Sequence, residues 1–506
     1  MRALFREIGR FRRDKSGNIA VIFAIALLPV LTAVGSAIDY SMATKMRAKL
    51  QSAADAASVA SISQKSPGYT AAAAMTGNGS VAAGVTDANN VFDGNMSGIT
   101  GYTNLARTST VTKTGIRLTS SVTFSADVPT TFMQVVGFPK MKVTGTSAAG
   151  GSLPPFLDFY LMLDVSGSMG LASTPGEQTR LAAVNPDDRG NYPSGCAFAC
   201  HFATQDVCYN NVQKYNTNNR CLGYPVSRVS QSAFKQLLQQ NSNKLPNSML
   251  SGLPDSLYSA LGSVSSCPAD NTDACIQLRA DAVGYAVTEL FKTANASTKI
   301  TNQFRIGLYP FIRYLYAYFP LTSSINGSPT NSSTINYAAA NLASLLDTNV
   351  SANLGSGGTH FENAFPTMST LITSVGNGST SSNTQPFVFL VTDGAQNYQV
   401  KGINSGSWSG SNHATTLNPT TLCKPLKDRG IIISVLYIPY EPISPPNPTF
   451  AGGQDLYANA NIPNIPPSLQ ACASPGFFYT ANAPADIAKA LNAMFDRALK
   501  TAQITN

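Results

Sequence analysis

The chain has 506 residues, of which 43% are hydrophobic and only 12% are charged. That length exceeds what one hydrophobic core usually supports and predicts two or three folded units. The formal net charge is +8, but most of the excess lies within the first fifty residues. The rest of the chain is nearly neutral and rich in Ser, Thr, Asn and Gly, which argues against a nucleic-acid-binding protein and favours a surface outside the cytoplasm.

The first element is a basic arm, residues 1–17, followed by an apolar run that extends from Asn18 to the next charged residue, Asp39. A membrane-crossing helix needs about 20 such residues. A secretory signal peptide is the alternative, although its apolar region is usually shorter. Because basic residues precede the span, we expect the arm in the cytoplasm and the bulk of the chain on the periplasmic side of the inner membrane.

Residues 40–150 form the next predicted region. Strong helix formers continue from Tyr40 to about Ser63, with Met46, Leu50, Ala54 and Ala57 at helical spacing. Residues 64–99 show little periodicity and predict a loop with at most short structure. Alternating apolar residues between Thr108 and Ala149 predict two or three strands, so the region is a small α+β unit.

The N-terminal pattern resembles a known family. Gly17-Asn18, the apolar span, Asp39-Tyr40 and the stretch from Leu50 to Ala57 are similar to the start of TadE/TadG-type proteins of tight-adherence (Flp) pilus systems. The resemblance implies a pilin-like helix anchored in the inner membrane, with the small sheet packed on it. Members cut by prepilin peptidase carry a Glu early in the apolar segment, whereas this span has no acidic residue before Asp39, which favours a retained anchor.

A second unit is predicted over residues 151–506, beginning with an apolar strand that stops at Asp164. In the following Asp164-Val165-Ser166-Gly167-Ser168, alternate residues carry side-chain oxygens, and the glycine allows a tight turn around a small object. One carboxylate and two hydroxyls suit a hard divalent cation such as Mg²⁺ or Mn²⁺. Such a cation keeps positions open for water or for the carboxylate of a partner.

This stretch resembles the D-x-S-x-S metal-ion-dependent adhesion site of von Willebrand factor A (VWA) domains. Two further loops follow in that family's order: Gly357-Gly358-Thr359, and the strand 387–392 that leads into Asp393. The resemblance implies a site for Mg²⁺, or for Mn²⁺ or Ca²⁺, and a protein partner that supplies an Asp or Glu to the metal. Its residues are Asp164, Ser166, Ser168, Thr359 and Asp393. Ser166 and Ser168 are the expected direct ligands.

Alternating strands and helices predict a doubly wound, Rossmann-like parallel sheet, with all three loops at the carboxyl ends of strands. The predicted strands are 304–311, 387–392, 431–438 and an edge strand at 477–480. The predicted helices are 276–291, 336–346, 361–375, 419–429 and 485–502.

A Cys-rich insertion of about 171–275 separates the first metal loop from the first predicted helix. It holds Cys196, Cys200, Cys208, Cys221, Cys267 and Cys275, while Cys423 and Cys472 follow later. Disulfides in an oxidising compartment are the favoured interpretation, with zinc binding as the competitor. The pairing among the six stays open; our hypothesis is three bridges within the insertion and a fourth between Cys423 and Cys472.

The predicted function is recognition rather than catalysis. An aspartyl-phosphate phosphohydrolase is one alternative, but such enzymes usually place a second Asp two residues after the nucleophile, and position 166 is Ser. The other alternative is a structural pilus-like subunit with an inactive VWA spacer. His360 follows Thr359, and we expect a histidine hydrogen-bonded to its surroundings rather than a metal ligand.

Overall fold

The computed structural model describes residues 17–184, 226–240, 261–262, 264–347, 353–355, 358–397, 415–440, 442, 446, 448 and 454–504. The chain divides into two compact units, Met1–Leu153 and Pro154–Asn506. Much of the Cys-rich insertion, with Cys196, Cys200, Cys208 and Cys221, lies outside the described residues.

The first unit is built on one long helix, α1 (Gly17–Ala60). Within it, the stretch from Val21 onward is long and apolar enough to cross a membrane, judged by length and composition. The side chains between Val21 and Met42 are mostly exposed, whereas Met46, Leu50, Ala54 and Ala57 are buried. The helical spacing of these four residues therefore predicted the buried face correctly.

That buried face packs on a small antiparallel sheet. The remaining elements of the unit are α2 (Pro67–Ala74), β1 (Gly79–Ser80), α3 (Ala82–Met96), β2 (Thr103–Thr114), β3 (Arg117–Pro129) and β4 (Lys140–Ser152). The strands lie in the order β1-β2-β3-β4. Phe92 from α3 and Phe124 from β3 meet Leu50 in one hydrophobic core. The predicted α+β region is confirmed.

The prediction of a loop over residues 64–99 is wrong, because two helices, α2 and α3, occupy most of it. The start of α2 carried a readable signal. Ser66 is its N-cap and its hydroxyl accepts a hydrogen bond from the Tyr69 N–H at 3.0 Å, while Pro67 takes the first helical position. The helices are rich in Ala, Gly and Asn, so their apolar faces are small and give little periodicity.

The second unit contains a six-stranded sheet. Its strands are β5 (Leu157–Asp164), β6 (Phe304–Phe311), β7 (Phe319–Thr322), β8 (Gln385–Thr392), β11 (Ile432–Tyr437) and β12 (Phe478–Thr480), with a separate short pair, β9 (Ala395–Gln396) and β10 (Thr415–Thr416). The sheet order is β12-β11-β8-β5-β6-β7. Neighbouring strands are parallel except for the antiparallel edge strand β7.

Helices cover both faces of this sheet. They are α4 (Pro175–Val184), α5 (Gln231–Gln240), α6 (Arg279–Ser297), α7 (Ile335–Ala340), α8 (Phe361–Leu371), α9 (Pro419–Leu422), α10 (Lys424–Asp428), α11 (Gln454–Asn461), α12 (Ile465–Cys472) and α13 (Pro484–Ile504). Phe159 of β5 faces a core shared with α6 and α13, while Met162 faces one shared with α8 and α12. The predicted doubly wound α/β fold is confirmed.

Several predicted elements differ in detail. The helix expected over 419–429 is split into α9 and α10, because Pro425 lacks the N–H that a continuous helix needs. The helix expected over 336–346 ends at Ala340 and is followed by a 3₁₀ turn, Leu342–Leu345. A helix, α4, begins five residues after Gly170, so the expectation that the first helix after the Asp164–Ser168 loop lies beyond the insertion is wrong.

Two disulfides lie within the described residues, Cys267–Cys275 and Cys423–Cys472. The second is the pair that the sequence hypothesis proposed. The first is a bridge internal to the insertion, as expected, and it closes a short loop immediately before α6.

Candidate metal centre

The candidate site lies where the order of the strands reverses. The chain passes from β5 to its neighbour β6 on one side and later returns to β8 on the other side of β5. Asp164 is the last residue of β5, and Asp393 immediately follows β8. Because β5 and β8 are parallel, both carboxylates emerge at the same edge of the sheet. That crevice is where open α/β sheets bind their ligands.

Asp164 is fully buried, and each of its oxygens accepts a hydrogen bond. The Ser166 backbone N–H donates to Oδ1 at 2.9 Å, and the Thr392 hydroxyl donates to Oδ2 at 2.6 Å. The first bond closes the turn after β5, and the second joins it to β8. The carboxylate is therefore held in one orientation.

Three hydroxyls lie in a chain beside this carboxylate. Thr359 donates from Oγ1 to Oγ of Ser166 at 2.8 Å, and Oγ of Ser166 lies 3.3 Å from Oγ of Ser168. The structure thus brings Thr359, predicted from a loop 193 residues downstream, into direct contact with the first loop. The three hydroxyls share the same small volume.

Gly358 explains how the Thr359 loop approaches so closely. Its φ of +101° lies in the left-handed region that favours glycine, and a Cβ there would overlap the side chain of Asn397. The Asn397 backbone N–H donates to the Thr359 carbonyl at 2.9 Å, which ties this loop to the segment after Asp393. Gly357, also part of the predicted loop, lies outside the described residues.

Asp393 is the anomalous member of the set. It is fully buried, and within the described residues neither carboxylate oxygen accepts a hydrogen bond of acceptable geometry. Its nearest ion-pair partner there is Arg279, whose Nη1 lies 4.0 Å from Oδ2. Burying a carboxylate without hydrogen bonds costs several kcal/mol unless a cation compensates it.

The pKa shifts of Asp164 and Asp393 also indicate that these two carboxylates need a compensating cation. Burial, together with the negative charge of Asp393, raises the pKa of Asp164 to about 7. Burial also raises the pKa of Asp393, while the charge of Arg279 and the nearby Ser168 hydroxyl oppose that rise. Two acids that disfavour each other's ionised form are stabilised by a cation between them.

The donor set fits a hard divalent cation. It offers two carboxylates and three hydroxyls, all oxygen ligands of the kind that Mg²⁺, Mn²⁺ and Ca²⁺ take. Among the described residues there is no group of three or more His, Cys, Asp or Glu side chains placed to hold a metal. The hydroxyls would therefore have to contribute to coordination.

Sequence reasoning missed two residues of this site, Thr392 and Arg279. Thr392 is the last residue of the apolar strand β8, and its role follows from the register that sets Leu163 opposite Val391 and so brings Thr392 beside Asp164. Arg279 opens α6, far from the other loops in sequence. His360 is buried, and its Nδ1 lies 2.7 Å from Oε1 of Glu362, which is the hydrogen bond to its surroundings that the sequence predicts.

The fold and motif define a doubly wound α/β domain that resembles VWA domains at the three loops of the candidate site. The N-terminal segment adds the second part: residues 17–74 match the model of the family described as putative Flp pilus-assembly TadE/G-like. The predicted resemblance to TadE/TadG-type proteins is confirmed for that segment. No curated protein sequence matches the chain significantly.

Solved structures with a similar arrangement include three bacterial proteins. BatB of Bacteroides thetaiotaomicron is 13% identical over 68% of this chain and 99% of its own, with a TM-score of 0.31. The vWF domain of the type V pilus tip protein Mfa5 of Porphyromonas gingivalis is 10% identical over 70% and 97%, with a TM-score of 0.30. The PilB minor pilin of Streptococcus sanguinis is 12% identical over 79% of this chain and 78% of its own, with a TM-score of 0.27.

Proposed function

We propose that this protein is a membrane-anchored, metal-dependent protein-binding component of a bacterial Flp (tight-adherence) pilus assembly or secretion system. The TadE/G-like match over residues 17–74 supports the association with a pilus. The long apolar part of α1 supports the anchor. The basic residues before Asn18 favour a cytoplasmic N-terminus and a periplasmic second unit.

In this proposal Asp164, Ser166, Ser168, Thr359 and Asp393 hold Mg²⁺, with Mn²⁺ or Ca²⁺ as the other oxygen-seeking candidates. The observation that carries it is Asp393, a buried carboxylate whose oxygens accept no hydrogen bond of acceptable geometry among the described residues, although the Ser168 hydroxyl and the Ala395 N–H lie nearby. The bound cation would offer an open coordination position to an acidic side chain of a protein partner. The five residues would position the cation and balance part of its charge.

A binding role accounts for the site better than phosphoryl transfer. Both oxygens of Asp164 accept hydrogen bonds, at 2.9 and 2.6 Å, so the carboxylate is oriented as a fixed acceptor rather than left free to attack. Position 166 carries Ser where a phosphohydrolase usually carries its second Asp. Two buried carboxylates side by side destabilise the fold, so they are not expected in a domain that serves only as an inactive spacer.

Chemical cross-linking in cells tests the proposal. The full-length protein is cross-linked and purified from cells grown with Mg²⁺ and from cells treated with EDTA, alongside Ser166→Ala and the matched control Ser328→Ala, whose side chain is exposed. We expect a discrete cross-linked partner that disappears with EDTA and in Ser166→Ala but persists in Ser328→Ala. The same partners in all four samples would contradict metal-dependent binding.

A further inference from the structure

The loop between β3 and β4 in the first unit exposes a cluster of large apolar side chains. Here this apolar loop is defined as residues 132–138, and it contains a 3₁₀ turn, Met133–Val136. Exposed fractions reach 42% for Phe132, 80% for Val135, 41% for Val136 and 59% for Phe138. Most other large apolar side chains exposed in the described residues belong to α1 between Val21 and Met42, and the remainder are scattered singly.

The apolar loop is fastened to α1 at one level. The Asp39 carboxylate accepts hydrogen bonds from the backbone N–H groups of Thr131, Phe132 and Met133 at 2.9, 2.9 and 2.7 Å. One turn earlier, Gly35 leaves room for the Phe132 side chain, because any Cβ at that position would overlap it. The loop therefore sits beside residues 35–39 of the helix.

That level is where the apolar run of α1 ends. Val34 and Ile38 are exposed on the helix, and Asp39 is the first charged residue after Asn18. The apolar loop lies beside the helix and extends its apolar surface, at the residues where the helix would leave the hydrocarbon layer of a bilayer. Contiguous exposed apolar surface of this kind marks a binding or membrane-contact site.

Basic residues lie just beyond this level. Lys45, Arg47 and Lys49 on α1, and Lys140 and Lys142 at the start of β4, are all exposed. Lys140 also pairs with Asp127 at 2.6 Å. Apolar side chains followed by a belt of Lys and Arg match the order of layers in a membrane surface, hydrocarbon first and anionic headgroups next.

We propose that the apolar loop inserts into the membrane interface and forms a second contact of this protein with the bilayer, beside α1. The inference rests on the proposed membrane anchoring. Because the loop is held on α1 at Gly35 and Asp39, its insertion would resist rotation of the first unit about α1 and fix the orientation of that unit on the membrane. Amphipathic elements bury their apolar side chains about 5–10 Å into this interface.

Single tryptophans in the full-length protein test the proposal. The native Trp408 is replaced by Phe, and Trp is placed by Phe138→Trp in the apolar loop, by Val30→Trp in α1, or by Thr114→Trp at the far end of the sheet. The thirteen residues of β3 separate the last position from the loop by about 40 Å. Each variant is reconstituted in phosphatidylethanolamine–phosphatidylglycerol vesicles, with or without lipid brominated on its acyl chains.

We expect bromolipid to quench the tryptophans at positions 30 and 138 several-fold more than the one at 114, and Val135→Glu to reduce the quenching at 138. Because Val135 is 80% exposed, that substitution should leave the melting temperature unchanged. Quenching by bromolipid at position 30 but not at position 138 overturns the loop contact and leaves the anchoring intact. Iodide added to the water then shows whether the tryptophan at position 138 faces solvent or is shielded by a protein surface; the loop contact is overturned in both cases. Absence of quenching at 30 overturns the anchoring itself.

Discussion

Arg279 places its Nη1 4.0 Å from Oδ2 of Asp393, and both side chains are buried. Arg279 is the first residue of α6, and its Nη2 also donates to the Pro439 carbonyl at 3.0 Å. The guanidinium thus supplies part of the positive charge that the buried carboxylates need. A bound divalent cation would have to share the site with it.

Replacing this arginine should strengthen metal binding. In the wild type, the positive charge of Arg279 repels a cation bound at Asp393 and should weaken its binding on the order of tenfold. Arg279→Gln removes that repulsion. Calorimetric titration of the full-length protein in detergent with Mn²⁺ measures the change. Arg305→Gln is the matched control, because Arg305 pairs with Asp158 at the opposite end of β5. Equal or weaker affinity in Arg279→Gln would mean that the guanidinium chiefly positions Asp393.

The stability of the metal-free protein should depend on pH through Asp164. Its pKa is raised to about 7 in the folded state by burial and by Asp393, whereas an unfolded Asp titrates near 4. The folded state therefore holds this proton more tightly, so stability falls as the pH rises from about 4 to about 7. We expect the melting temperature in EDTA to drop by several degrees across this window. Asp164→Asn should flatten the profile, and an unchanged slope in that variant would contradict the assignment.

The part of the insertion next to the site is held by a buried ion pair. Arg228 donates to both oxygens of Asp281, at 2.9 and 2.5 Å, and the same carboxylate accepts from the backbone N–H groups of Cys267 and Leu278. Arg228→Met leaves the carboxylate buried with its ion pair broken. We expect a loss of roughly 3–5 kcal/mol in the free energy of unfolding, measured by urea denaturation.

An exposed pair on the same unit provides the control for that measurement. Lys424 and Asp428 are each 59% exposed, so Lys424→Met should change the free energy of unfolding by no more than about 1 kcal/mol. If both variants cost the same, the Arg228–Asp281 pair does not anchor the insertion.

The orientation in the membrane can be tested with a fusion. Alkaline phosphatase attached after Asn506 needs an oxidising compartment to fold, so we expect an active fusion if the second unit is periplasmic. A β-galactosidase fusion at the same position is the control and should be inactive. The reverse pattern would place the second unit in the cytoplasm, where disulfides such as Cys423–Cys472 rarely persist.

Local patterns in the sequence were enough to predict α1, β5 and β8, because each is a long apolar segment bounded by a charge or turn. They also predicted where the three loops of the candidate site lie, because each loop directly follows a strand or precedes a helix. Arg279 and Thr392 could not be predicted in this way, since their roles depend on which strands become neighbours and in what register. Helices α2 and α3 were missed because small residues such as Ala72 and Gly84 pack closely without producing a clear apolar stripe.

We propose that Asp393 and Asp164 share a metal cation. The most direct measurement is Mn²⁺ titration of the full-length protein, followed by calorimetry and by the electron paramagnetic resonance signal of free Mn²⁺, for wild type, Asp393→Asn and the exposed control Asp428→Asn. We predict one bound Mn²⁺ in wild type and in the control, and none in Asp393→Asn. Equal Mn²⁺ binding by wild type and Asp393→Asn would contradict the account.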